Sequence, residues 1–236
     1  HAVLDGIHLM QTWSGDARLD SLITSKSAQS HPEIANLIGQ HLEICPNTQV
    51  HWVDETLWES ISELENAPQI MGLLQLELTK PNSKTITGDV LILDAIQDAG
   101  NVGTILRTAL ATDFKQIVCT TGTAHIWSPK VLRAAMGAHR HLHFYEGWSV
   151  NDVASNIESS LLATTMDAKD DLYSIGKILN APVAWIFGNE GQGVSGDLLA
   201  QAKQIRIPQN PQIESLNVAT AAAVCLYETV RVRTIQ

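Results

Sequence analysis

Along this chain the apolar positions follow two rhythms, and the change between them falls near residue 80. Before it, short apolar segments (Ala2 to Leu4, Leu19 to Ile23, Val50 to Val53, Ile70 to Leu78) alternate with helical spacings such as Ile34, Leu37, Ile38 and Leu42. Apolar residues three and four apart share one helix face, and short apolar runs suit strands, so a small α/β domain is predicted. After it, the runs are near-continuous: Val90 to Leu93, Gln116 to Cys119, Leu161 to Thr164 and Val183 to Phe187, separated by helix-length segments. Strands with no polar face are covered on both sides, and their alternation with helices predicts a parallel sheet. Thr79 to Asp89, polar and carrying Pro81 and Gly88, lies between the two and suggests domains at residues 1–80 and 81–236.

Composition narrows the possibilities. No apolar run approaches the roughly 18 to 20 residues of a membrane span, and no basic stretch followed by an apolar one opens the chain, so a cytoplasmic protein is expected. Cys45, Cys119 and Cys225 are far apart and form no Cys-x-x-Cys pair, which points to reduced, mostly buried thiols. The net charge of −10 opposes a broad phosphate-binding face. Residues 1–80 hold 11 acidic and 3 basic side chains, a net −8, which leaves −2 for the remainder. Contact with RNA, if made, is expected locally around Lys130, Arg133 and Arg140, in a stretch that also holds His139, His141 and His143 and no acid. Those three histidines alternate as in a strand and show no metal-ligand spacing. A solvated helix face followed by strand histidines is the plainer alternative.

Three loops carry the candidate chemistry. The first, Asp94 to Ala109, runs from a buried strand through Gly100, Asn101 and Gly103 into a helix bearing Arg107 among apolar neighbours. Free backbone N–H groups near Asn101 to Thr104 would attract phosphate, and an arginine on such a segment costs stability unless it is paired or employed. Read alone, Arg107 could equally lie on the surface and Asn101 be a helix cap. The second, Ile186 to Ser195, has Gly188, Gly191 and Gly193 around Glu190, and lets a ligand lie against main chain. Neither a Gly-x-Gly-x-x-Gly nor a Walker A spacing is present. The third, Ile205 to Val218, is stiffened by Pro208 and Pro211, with Ser215 expected to cap the closing helix and Asn217 in its first turn. That helix is apolar on both sides, which predicts burial in the fold or in a subunit interface.

In this order the three loops resemble the motifs of the SpoU (TrmH-type) branch of the SPOUT methyltransferases: Asn-x-Gly-x-Ile-x-Arg-Thr-Ala at 101–109, Phe-Gly-x-Glu-x-x-Gly-Val-Ser at 187–195, and Ile-Pro-x(6)-Ser-Leu-Asn-Val at 207–218. Ser128 to Ala138 resembles a further family segment, and the front of the chain is similar to a small RNA-binding α/β domain that many members carry. The resemblance implies an α/β protein in which a small substrate-binding domain precedes a parallel-sheet α/β-knot (SPOUT, trefoil knot) methyltransferase domain. It implies transfer of a methyl group from S-adenosyl-L-methionine to a ribose 2′-hydroxyl of ribosomal or transfer RNA, by a homodimer, without metal. The implied catalytic set is Asn101, Arg107, Glu190, Ser215 and Asn217, and the implied cofactor set Phe187, Gly188, Asn189, Gly193, Ile207, Pro208 and Leu216. The chain departs from the pattern between Pro208 and Ile213, where Gln-Asn-Pro-Gln stands. Since a guanidinium hardly releases its proton, Arg107 is expected to hold phosphate and steady the developing alkoxide, oriented by Glu190, Ser215 and Asn217. An inactive RNA-binding protein that retains the fold is the alternative.

Overall fold

The computed structural model describes residues 1–62, 69–76 and 85–234. The end of the apolar run reaching Leu78 and the polar stretch from Thr79 to Lys84 lie outside the described residues. Contacts divide the chain into two compact units, His1–Leu78 with Trp127–Arg140, and Thr79–Ile126 with His141–Gln236. A single cut near residue 80 therefore misses one feature: Trp127–Arg140 is part of the first unit. Its helix α5 (Pro129–Ala135) puts the buried Leu132 into the core of that unit.

The first unit comprises β1 (Ala2–Asp5), α1 (Ile7–Trp13), β2 (Leu19–Ser25), α2 (Pro32–Ile44), β3 (Gln49–Val53), α3 (Glu55–Ile61) and β4 (Ile70–Leu74), besides α5. Its sheet order is β1-β4-β2-β3, with β4 antiparallel to both neighbours and β3 parallel to β2. Leu4, Trp13, Leu22, Ile34, Leu37 and Leu74 fill its core, as the helical spacing predicts for α2. In the same unit Arg140 Nη1 donates to the Thr12 carbonyl at 2.8 Å and Arg140 Nε lies 3.7 Å from Asp16. The side-chain hydrogen bond from Arg18, working against desolvation, holds the Asp16 carboxyl below its usual pKa.

The second unit comprises β5 (Val90–Asp94), α4 (Ala99–Ala111), β6 (Gln116–Thr120), β7 (His143–Trp148), α6 (Val150–Asn156), β8 (Ser160–Thr164), β9 (Asp170–Asp171), α7 (Gly176–Leu179), β10 (Val183–Gly188), α8 (Gly196–Leu199), β11 (Lys203–Arg206) and α9 (Val218–Thr234). All pairings in its seven-stranded sheet, ordered β7-β6-β5-β10-β8-β11-β9, are parallel. Strand side chains alternate between faces. Val90, Ile92, Ala184 and Ile186 therefore join one core, while Trp185 points to the other side, where its Nε1 donates to Thr229 of α9 at 3.0 Å.

Four local expectations are corrected. The strand pattern of 139, 141 and 143 fails because Ala138–His141 forms a 3₁₀ turn and β7 begins only at His143. His139 is buried and packs on Trp127 at 5.1 Å between ring centroids. Helix α4 starts earlier than the motif suggests, at Ala99, with Asp98 as its cap accepting from Asn101 N–H at 2.7 Å. Val102 N–H bonds the Asp98 carbonyl, so this helix end has no free donors at 101 and 102 to hold a phosphate. Asn217, and not Ser215, caps α9, its Oδ1 accepting from Ala219 and Thr220 N–H at 2.9 and 3.2 Å. Within the chain α9 is buried on one side, through Ala219, Ala222, Cys225, Leu226 and Thr229, while Ala223, Val224 and Val230 stay half-buried and Tyr227 is 54% exposed.

Candidate active site

The sheet order explains why loops distant in sequence meet. Strands β5, β10, β8 and β11 are consecutive neighbours, and Gly188 pairs with Asp94 while Ile205 pairs with Thr164. Their carboxyl ends thus form one row, the usual ligand edge of an open parallel sheet. The first loop leaves β5, the second β10 and the third β11; the strand between the last two, β8, ends at Thr164 and is followed by Thr165 and Met166.

Each loop is fixed by its own residues. Asp94 is buried, accepting from Thr120 Oγ1 at 2.9 Å and from Ser195 N–H at 2.7 Å, which ties the end of β5 to the end of the second loop. Asn189 staples that loop, donating to the Ala95 carbonyl at 3.0 Å and accepting from Gly191 and Gln192 N–H at 2.9 and 3.1 Å. Gly188 is obligatory: a Cβ there would lie 2.1 Å from Val194 N and 2.2 Å from the carbonyl carbon of Gly193.

A chain of side chains then joins the three loops. Asn217 Nδ2 donates to Asn101 Oδ1 at 3.0 Å, and Asn101 Nδ2 donates to Glu190 Oε1 at 3.0 Å. Both amide orientations follow from the chain's ends. Asn217 Oδ1 is engaged by helix N–H groups, so its Nδ2 must face Asn101, and an ionised carboxylate can only accept. Burial alone would raise the Glu190 pKa, but the bond from Asn101 and those from backbone N–H groups, including Gln97 and Asp98 at 3.3 Å each, outweigh it and hold the carboxyl below its usual value.

Beside this chain lies a cavity of about 640 Å³ lined by Gly188, Asn189, Glu190, Gly193, Ile207, Ser215, Leu216 and Asn217, among others. The volume is of the order of small-molecule sites. Thr164, Thr165, Met166, Gln209 and Glu214 also line it and carried no motif signal. For the first three, the position at the carboxyl end of a predicted parallel strand was the signal that could have found them. Two expected residues stand elsewhere. Phe187 is fully buried and packs on Trp185 at 6.1 Å between ring centroids, and Pro208 is outside the lining. Both follow from geometry: alternation turns Phe187 into the core, and the half-buried Gln209 takes the wall.

Arg107 lies roughly two turns into α4. It is exposed, with no hydrogen bond or ion pair among the described residues. It therefore causes no burial penalty, and Glu190 and Asn217 bind Asn101 rather than Arg107. Lys130 is exposed, Arg133 half-buried, and Arg140 is held by Thr12 and Asp16. Among the described residues no group of three or more His, Cys, Asp or Glu side chains is placed to hold a metal ion, and no helix is long and apolar enough to cross a membrane.

Residues 89–227 match the model of the SpoU rRNA methylase family. The chain belongs to this family. It is 41% identical over 145 residues to an uncharacterised tRNA/rRNA methyltransferase of Synechocystis sp., covering 60% of this chain and 52% of that one. With the 23S rRNA (guanosine(2553)-2′-O)-methyltransferase RlmP of Bacillus subtilis it shares 33% identity over 190 residues, 76% of this chain and 71% of that one. The chain thus spans about half the length of the Synechocystis relative. Among solved structures, the SpoU methyltransferase AviRb of Streptomyces viridochromogenes in complex with AdoMet is similar with a TM-score of 0.82 and 19% identity, over 98% of this chain and 90% of that one. AdoMet-bound rRNA methyltransferase of Sinorhizobium meliloti gives 0.79 and 23%, over 98% and 87%. At these identities the likeness is one of fold, and the second unit of this SpoU family member is an α/β-knot domain.

Proposed function

We propose that this chain uses S-adenosyl-L-methionine to methylate a ribose 2′-hydroxyl of ribosomal or transfer RNA. The observation that carries the proposal is the Asn217–Asn101–Glu190 chain, which locks all three family motifs beside one cavity. The cavity suits the cofactor: it has room for a nucleoside with an amino-acid arm, and Gly188 in its lining carries no side chain and admits none. Gly188, Asn189, Gly193, Ile207 and Leu216 would hold it. When bound, it supplies an electrophilic sulfonium methyl.

The remaining work falls to the chain's own residues. Arg107, exposed and without a partner among the described residues, presents a planar guanidinium to grip the phosphate beside the target ribose and to steady negative charge growing on the 2′-oxygen. Glu190, kept ionised and anchored by Asn101, would orient the ribose by accepting a hydrogen bond from its hydroxyl. Ser215 and Asn217 line the cavity and position the ligand. Lys130 is an accessible RNA contact, with Arg133 and Arg140 beside it in the first unit. Homodimerisation through the second unit would cover the Val224 and Tyr227 side of α9, and a cytoplasmic location completes the proposal.

The test is transfer of labelled methyl to total RNA, with mapping of 2′-O-methyl sites in RNA from cells with and without the protein. New label at one ribose is expected. Absence of transfer to both ribosomal and transfer RNA would reject the activity in favour of an RNA-binding role. Light scattering tests the dimer, and cofactor titration in chelator tests independence from metal.

A further inference from the structure

The third loop departs from the family pattern at Gln209 to Gln212, and the structure gives that departure a use. Gln209 is half-buried, lines the cavity, and donates from Nε2 to the thioether sulfur of Met166 at 3.1 Å. Met166 follows β8, lines the same cavity and is 45% exposed. The turn behind Gln209 is closed without its side chain. Asn210 Oδ1 accepts from Gln212 N–H at 2.9 Å, and the Asn210 carbonyl accepts from Ile213 N–H at 3.1 Å. Thioether sulfur is a weak acceptor, so an amide donor bonded to it exchanges readily for a better oxygen entering the cavity.

We infer that Gln209 is a cofactor-reading side chain whose amide leaves Met166 for a ribose hydroxyl of the bound nucleoside. The inference rests on the methyltransferase reading and adds a side-chain determinant for the nucleoside to that pocket. S-adenosyl-L-methionine offers two kinds of exocyclic oxygen, the ribose hydroxyls and the methionyl carboxylate. Glu190 and Glu214 line the same cavity and disfavour a third carboxylate there. A neutral hydroxyl donates and accepts, which matches the N–H and C=O of a primary amide.

The experiment is calorimetric titration of the full chain and of its Gln209→Met and Met166→Leu variants. The ligands are S-adenosyl-L-methionine, 5′-methylthioadenosine and the 2′,3′-dideoxy form of the latter. Gln209→Met keeps length and volume but loses the amide. It is expected to weaken the first two ligands by about tenfold, equivalent to about 1.4 kcal/mol, and to leave the dideoxy compound unaffected. Met166→Leu, which alters the cavity wall but not the amide, should change the affinities of all three ligands by the same factor, because the sulfur is only the resting partner of Gln209. Unchanged binding in Gln209→Met overturns the inference, as does equal loss for the dideoxy ligand or a loss confined to S-adenosyl-L-methionine. A Met166→Leu loss matching that of Gln209→Met would make the pair a loop brace and also overturn it. If the unaltered chain binds none of the three ligands, the methyltransferase reading fails and the inference with it.

Discussion

Replacing Asn101 by alanine removes the link shared by Glu190 and Asn217 and leaves their other anchors in place. Two hydrogen bonds of 3.0 Å disappear. In a dry interior the bond to an ionised carboxylate would contribute about 1.5–3 kcal/mol and the amide–amide bond about 0.5–1.5 kcal/mol. Both lie in an exposed setting, where water replaces much of what is lost, so together they contribute about 1 kcal/mol. Residue 101 is in the first turn of α4, and alanine's better helix propensity returns roughly 0.5 kcal/mol. The net cost, about 0.5 kcal/mol, lowers Tm by only about 1–2 °C in a chain of this size. Methyl transfer should fall much further, by about 10²-fold, because Glu190 keeps only longer backbone bonds and loses its orientation. Asn101→Asp sharpens the test. Two carboxylates would then stand where a 3.0 Å bond was, and such a pair retains one proton. That raised folded-state pKa adds stability at low pH that is lost as pH rises through it, and activity should recover as pH falls. The unaltered protein has the opposite sign: the lowered pKa of Glu190 stabilises the fold above the ordinary value of 4.5, and that contribution is lost as pH falls through the folded-state value. Single-turnover transfer and thermal melts between pH 5 and 8 decide the matter. Normal turnover in Asn101→Ala, or parallel pH profiles for Asn101→Asp and the unaltered protein, would refute the positioning role.

Arg107→Ala should change stability by less than about 0.5 kcal/mol, since the side chain is exposed, yet lower turnover about 10²- to 10⁴-fold with unchanged cofactor affinity; near-normal single-turnover transfer would remove it from the mechanism. Gly188→Ala should cost about 3 kcal/mol or more and abolish cofactor binding, because its Cβ would overlap the Gly193–Val194 backbone, and denaturant melts beside a cofactor titration check both. His41 is buried, accepts from Gly15 N–H at 3.0 Å and lies 2.9 Å from Thr48 Oγ1; desolvation pushes its pKa below the ordinary 6.5. The unfolded chain therefore takes up the proton first, so stability is full above pH 6.5 and declines as pH falls through the window down to the folded-state value. A denaturant midpoint that does not drop between pH 7.5 and 5, or drops equally in His41→Gln, would contradict this.

Much of the fold was legible because its signals are local. The apolar runs at Val90, Gln116, Leu161 and Val183 became β5, β6, β8 and β10 within a residue or two, since a strand covered on both faces cannot tolerate a polar side. The glycines of the second loop were likewise readable, because the backbone contact at Gly188 excludes every side chain. Helix starts were less legible. Asp98 and Asn217 are the caps where Asn101 was the alternative reading and Ser215 the expected one, as several polar residues crowd each boundary and only the three-dimensional path selects the one whose oxygen meets the free N–H groups.

The sequence by itself determined the three family motifs and the strands that present them, since both are written in nearest-neighbour spacing. Only the tertiary structure decided how they combine. That β10 lies between β5 and β8, with β11 next, is a matter of long-range pairing that periodicity does not encode, and it brings Thr164 to Met166 to a cavity they share with loops over twenty residues away in the chain. The same pairing sets Asn101 between Glu190 and Asn217, partners 89 and 116 residues distant. It leaves Arg107 outside that chain of bonds, exposed toward solvent, because hydrogen bonds form between groups the sheet order brings within about 3 Å, whatever their order along the backbone.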